Sequence, residues 1–203
     1  LTTGDNNTAL GTAAGNAITT GADNVCIGYR AGDAFDAENN NIFIGSNSGG
    51  GGSLAAGATI GIGSSALTAL TTGAGNVAVG YQSMLEHTTG AYNTCYGYQT
   101  MYSTNAGSNS LGSQRNTFTG YQAGSGTWGD TASSDENVGI GYLALNGALD
   151  NADNNTVVGA SAGRTITTGD SNTIVGNASE PSAAGASNQI VIGPSVTGHG
   201  DNI

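Results

Sequence analysis

Short runs of β-branched and aliphatic residues, each opened by an asparagine and closed by a glycine, punctuate this chain from end to end. The clearest read Asn24-Val-Cys-Ile-Gly28, Asn41-Ile-Phe-Ile-Gly45, Asn76-Val-Ala-Val-Gly80, Asn93-Thr-Cys-Tyr-Gly97, Asn137-Val-Gly-Ile-Gly141, Asn155-Thr-Val-Val-Gly159 and Asn172-Thr-Ile-Val-Gly176. Looser copies are Asn7-Thr-Ala-Leu-Gly11, Thr59-Ile-Gly-Ile-Gly63, Asn116-Thr-Phe-Thr-Gly120 and Gln189-Ile-Val-Ile-Gly193. The closing glycines stand at 11, 28, 45, 63, 80, 97, 120, 141, 159, 176 and 193, so eight of the ten intervals are 17 or 18 residues. That period is too short for a helix–turn–helix repeat or a propeller blade. It predicts one lap of a parallel β-solenoid, or β-roll, built of two strands of about five residues and two turns. The chain is therefore expected to be all-β: a single repeat domain over 1–203 with about eleven coils, longer and irregular at about 98–136.

Three columns of this repeat have a physical reading. Thr-Thr-Gly recurs about seven residues before a closing glycine, at Gly21, Gly73, Gly90 and Gly169, where glycine is expected to supply a left-handed or tight turn. Ala31, Ser48, Ala66, Ser83, Ala123, Ala144 and Ala162 follow the closing glycine by three, as a narrow coil requires of an inward position. Asparagine recurs at Asn7, Asn24, Asn41, Asn76, Asn93, Asn116, Asn137, Asn155 and Asn172. An amide carries both donor and acceptor, so amides stacked at the ~4.8 Å spacing of strands can bond up and down the column. Stacked aspartates would repel at that spacing.

The middle strand position holds Ala9, Cys26, Phe43, Gly61, Ala78, Cys95, Phe118, Gly139, Val157, Ile174 and Val191, with no charged or amide side chain. Strand side chains alternate faces, so these strands are apolar on both faces, and such strands are buried on both. The coil interior covers one face. Copies of the same chain around an axis are the expected cover for the other.

Composition narrows the field. Leu, Ile, Val and Phe make up about 17% of the chain, below the ~20% typical of packed domains, but only 8% of residues are charged, so order along the chain decides. Three arginines, no lysine and a formal charge of -11 exclude a basic patch, and with it nucleic acid or an anionic membrane as main partner. No apolar run reaches the ~18–20 residues of a membrane span. Cys26 and Cys95 form neither a disulfide framework nor a zinc site; in one column four coils apart, they read as small buried hydrophobes. The chain opens in mid-pattern at Leu1, and a stack of coils ends in open sheet edges. Both features predict further fibre segments, or another protein, at the two ends.

Phrases such as Asn76-Val-Ala-Val-Gly80-Tyr81-Gln82-Ser83 and Asn116-Thr-Phe-Thr-Gly120-Tyr121-Gln122-Ala123-Gly124 resemble the repeats of bacteriophage tail-fibre proteins and related surface fibres. They are also similar to the head repeats of trimeric autotransporter adhesins, whose repeats are shorter than 17 residues. The resemblance runs from about Asn6 to Gly193. It implies a left-handed parallel β-roll, a side-by-side homotrimer, and an extracellular place on a virion tail fibre or bacterial surface. The Gly-Tyr-Gln phrases tilt the reading toward the phage fibre.

Candidate binding residues follow from exposure and shape. Tyr29, Tyr81, Tyr98, Tyr121 and Tyr142 each follow a closing glycine, and Gln82, Gln99 and Gln122 follow three of them. Such a column could hold a cell-surface glycan by ring stacking and amide hydrogen bonds, or it could be a tyrosine stack that shields the turn. Trp128, in the irregular region with Asp130, Asp135 and Glu136, is a second recognition candidate, or a residue folded back on the coil. The turn acids (Asp5, Asp23, Asp33, Asp36, Glu38, Asp150, Asp153 and Asp170 among them) lack the glycine–aspartate nonapeptide and the EF-hand pattern, so no metal or other cofactor is expected. His87 and His199 read as isolated turn residues. The expected role is a non-catalytic fibre segment. A polysaccharide-degrading β-helix enzyme would commonly need a Lys or Arg base or paired carboxylates in a groove. An ice-binding solenoid would need a flat threonine array, whereas adjacent Thr-Thr pairs face opposite ways along a strand.

Overall fold

A computed structural model describes residues 4–50, 57–104 and 112–200. Each lap contributes one three-residue strand: β1 (Thr8–Leu10), β2 (Val25–Ile27), β3 (Ile42–Ile44), β4 (Ile60–Ile62), β5 (Val77–Val79), β6 (Thr94–Tyr96), β7 (Thr117–Thr119), β8 (Val138–Ile140), β9 (Thr156–Val158), β10 (Thr173–Val175) and β11 (Ile190–Ile192). They form one eleven-stranded parallel sheet in chain order, a β-solenoid. The register is residue over homologous residue: Cys26 on Phe43, Phe43 on Gly61, Gly61 on Ala78, Ala78 on Cys95.

The expected second strand of about five residues is absent from the described laps. Beyond the closing glycine the backbone turns left-handed at the second residue, with φ of 52° at Arg30, 53° at Gln82 and 53° at Leu143. It does so again at the fourth residue, at Gly32, Leu67, Met84 and Leu145. Left-handed residues bend the chain out of the extended ladder, yet the laps stay bonded. The Arg30 N–H donates to Thr12 carbonyl oxygen (2.9 Å) and the Gly32 N–H to that of Ser48 (2.8 Å). Recurring in successive laps, this strained geometry is a property of the architecture and marks no site.

The closing glycines lie in one file. Gly28, Gly45 and Gly63 have φ of 127–129°, and a Cβ on Gly28 would sit 2.8 Å from the carbonyl of Gly45. The Thr-Thr-Gly glycines are different from expectation. Gly73 and Gly90 are not left-handed; a Cβ on either would run into a carbonyl of the next lap, that of Gly90 or Ser113. Close approach of backbones, not turn handedness, demands glycine there.

The interior is a set of inward columns. The middle strand residues from Cys26 to Val191 face in and are buried, as are the small residues Ala31, Ser48, Ala66, Ser83, Ala123, Ala144 and Ala162. Size is traded across several laps. Phe43 and Phe118 face Gly49 and Gly124, whereas Gly61, Ala78, Cys95 and Gly139 accompany Leu67, Met84, Met101 and Leu145. A Cβ on Gly124 would fall 2.7 Å from the Phe118 ring. A third column, seven or eight residues past the closing glycine, buries Ile18, Phe35, Leu70, Trp128, Leu149 and Ile166. The first and third strand residues point outward, and in β2–β5 all eight are Val or Ile.

Candidate functional site

The asparagine column is a hydrogen-bonded ladder interrupted once, at Thr59. Oδ1 of Asn137 accepts from both the backbone N–H and the Nδ2 of Asn155, each at 3.0 Å, and Asn155 Oδ1 does the same for Asn172 at 3.0 and 2.9 Å. Asn24 on Asn7, Asn93 on Asn76, Asn116 on Asn93 and Asn137 on Asn116 repeat the pattern. The second Nδ2 proton goes to a turn carbonyl, as from Asn155 to Gly169 (2.8 Å). Asn41 Oδ1 accepts from the Thr59 N–H (3.0 Å), while its buried Nδ2 has no partner. From Asn24 to Asn172 these side chains are fully buried. They stitch lap to lap and present nothing to a ligand.

The tyrosines split. Tyr81, Tyr98, Tyr121 and Tyr142 stack ring on ring, with centroids 5.2–5.4 Å apart and planes within 19°. Beside them Gln122 Nε2 donates to Gln99 Oε1 and Gln99 Nε2 to Gln82 Oε1, both at 2.8 Å. The ring faces inside this ladder are covered by neighbouring rings, leaving edges open along its length. Tyr29 stands apart, 53% exposed, because the next two laps carry Ser46 and Ser64 at its position.

Trp128 offers no face to solvent. It is fully buried, edge-on to Phe118 at 6.0 Å, and its indole N–H donates to the Gly124 carbonyl (2.9 Å). It therefore belongs to the core and not to a recognition surface. Part of the irregular stretch around it, 105–111, lies outside the described residues.

His87 is also interior and not a turn residue. It is fully buried, with Nδ1 3.3 Å from Thr104 Oγ1 and Nε2 3.3 Å from Asn93 Nδ2. Burial pushes its pKa down to about 4, against weaker support from the Gly90 and Ser113 backbone. Cys26 and Cys95 are buried free thiols; burial raises Cys26 to about 11 and Cys95 further still, so neither is a nucleophile at neutral pH.

Aspartates do stack, against expectation. Asp135, Asp153 and Asp170 occupy one column because each carboxylate bonds to backbone instead of to its neighbour's side chain. Asp153 Oδ1 accepts from the Asp135 N–H (2.7 Å) and Asp170 Oδ1 from the Asp153 N–H (2.8 Å). Arg115 pairs with Glu136 (2.7 Å) and reaches Asp135 (3.6 Å). Burial, then the charges of Asp135, Asp170 and Glu136, holds Asp153 above the usual carboxylate range. Among the described residues no group of three or more His, Cys, Asp or Glu is placed to hold a metal ion.

Comparison with family models, curated proteins and solved structures finds no match to this chain. Its surface must be read from its own chemistry. Two features stand out: the outward aliphatic stripe of the sheet and the tyrosine–glutamine ladder.

Proposed function

We propose that this chain is a non-catalytic structural segment of an extracellular fibre, of the phage tail-fibre or adhesin type. In this reading it assembles side by side as a homotrimer and presents a glycan-binding surface along its flank. The observation that carries the reading is the outward strand face. Val25, Ile27, Ile42, Ile44, Ile60, Ile62, Val77 and Val79 all point away from the coil interior, and Ile190 and Ile192 at the far end are 61% and 69% exposed. No strand position on that face carries a charge. Over ten strand spacings the two outward columns run ~48 Å, ~7 Å apart, wholly aliphatic through β2–β5 and interrupted by Thr94, Tyr96, Thr117 and Thr119 in β6 and β7. At roughly 340 Å², the stripe falls within the size range of the largest patch a monomer leaves in water. Around a threefold axis each of the two columns faces a different neighbour, so one narrow stripe per chain closes the assembly without leaving a free patch.

The fold suits such a part. Lap-to-lap hydrogen bonds run along the described length, which favours resistance to shear and proteolysis, and the net charge of -11 favours solubility. The tail-fibre reading is preferred over the adhesin on the Gly-Tyr-Gln phrases, and the virion exterior is the corresponding location. Further fibre segments at the ends belong to the same proposal.

The test is to place charge on the stripe. Ile42→Asp with Ile60→Asp, both on the outward face, is expected to reduce the sedimenting mass from three chains to one while leaving the β circular-dichroism signal in place. A pair at outward loop positions, Thr72→Asp with Thr89→Asp, is expected to leave the mass unchanged. If the stripe variant keeps the mass of the unaltered chain, the stripe is not the interface.

A further inference from the structure

Resting on the reading of the flank as a glycan-binding surface, the structure assigns the binding position within it. We infer that a neutral saccharide ring seats on the open end of the tyrosine ladder, at a missing rung between Tyr142 and Asn177. The ladder column is the residue after each closing glycine: Ser64, Tyr81, Tyr98, Tyr121, Tyr142, Ala160, Asn177. Rings at 5.2–5.4 Å and near-parallel planes leave no gap for a ligand between Tyr81 and Tyr142. The rung above Tyr142 is only the methyl group of Ala160. Tyr142 is 53% exposed, against 42% and 45% for the enclosed Tyr98 and Tyr121 and 45% for Tyr81, the ring at the other end beside Ser64.

Asn177 takes the ladder position one lap further on, and its Nδ2 donates to the Ala160 carbonyl (3.1 Å). Two lap spacings separate the Tyr142 rung from the Asn177 rung, ~9.6 Å. That leaves room for one ring between an aromatic face and an amide, over a methyl floor, with Ser161 alongside. An apolar C–H face of a pyranose suits the tyrosine, and its hydroxyls suit the amide and the serine. The formal charge of -11 argues for a neutral sugar over an anionic one.

Filling and creating rungs tests the assignment. Ala160→Tyr adds a fifth ring to the ladder at a position where five other laps already carry tyrosine, so the fold is expected to stand, as unchanged circular dichroism and melting would show. Tyr121→Ser opens a second missing rung between Tyr98 and Tyr142. The probes are cellotetraose, maltotetraose and chitotetraose at millimolar concentration, followed by saturation-transfer NMR and titration calorimetry on the intact chain.

The expected result is that at least one probe binds, that Ala160→Tyr weakens it at least tenfold, and that Tyr121→Ser raises the number of sites per chain. If Ala160→Tyr keeps or strengthens binding while Tyr121→Ser weakens it, sugars lie along the ring edges. That overturns the missing-rung site and leaves the glycan-binding flank standing. If no probe binds any of the three proteins, the assignment and the glycan-binding flank both fail. The self-association test is independent of either outcome.

Discussion

His87 occupies a column that, apart from its partner Thr104, buries aliphatic and aromatic side chains, and its imidazole is held neutral there. In the unfolded chain it titrates near 6.5; in the fold its pKa is lowered to about 4. As pH falls through this window the unfolded state takes up a proton that the folded state refuses, so stability is lost on acidification. The loss approaches roughly 3 kcal/mol once pH falls below both values. Replacing His87 by Leu, the residue type of Leu70 and Leu149 in the same column, should abolish that slope between pH 6.5 and 4, measured by urea unfolding across the range. Asp153 acts with the opposite sign. Its folded pKa is raised by burial and neighbouring carboxylates, so the strain is absent at low pH and appears as pH rises through the raised value. Asp153→Asn keeps the acceptor for the Asp135 N–H and removes one of three stacked charges. It should raise the neutral-pH stability by about 0.2–1 kcal/mol, the scale of a like-charge pair on adjacent strands, and the gain should vanish in acid.

At the scale of the lap, the 17-residue period, the parallel register, the asparagine ladder and the inward small residues were all legible, because each rests on a column repeated many times. The second strand was not. Its positions hold Leu67, Met84, Met101 and Leu145 in left-handed backbone, and nothing in those residue types announces a positive φ; their lap-mates at the same position, Gly32, Gly49, Gly124 and Gly163, were the available signal. The same six-residue spacing hid the core's size exchange, since the middle column read alone shows only that it is apolar. Of the two readings open for Trp128, recognition or folding back on the coil, its place in the least regular stretch gave no way to choose, and His87 was read as a turn residue because no repeating partner marks it as interior. The aspartate column escaped because its carboxylates bond to backbone amides, which the sequence does not display. The size exchange predicts a coupling. Ala78→Phe alone should overpack the coil, costing about 1–3 kcal/mol. Met84→Gly alone should leave a cavity worth about 2–5 kcal/mol, partly offset by relief of its left-handed backbone. Together they recreate the within-lap part of the Phe43–Gly49 arrangement, with Cys95 in place of the next-lap glycine that Gly61 supplies to Phe43, and the double variant should be more stable than the sum of the single losses by at least about 1 kcal/mol. Strict additivity in a thermal or denaturant series would show that the two positions do not share a space.

At the scale of the molecule, one rod satisfies its backbone lap by lap and its interior column by column, but not the outer face of its sheet. Among the described residues that face is an apolar surface the fold leaves unmatched, and the fibre reading depends on its being matched by sister chains. Small-angle X-ray scattering of the unaltered protein tests this most directly, because it returns mass and length together. The account predicts a particle of about three times 19.8 kDa whose long dimension stays near that of a single rod, ~50 Å. A particle of one chain's mass, or one whose length grows in proportion to its mass, would contradict it.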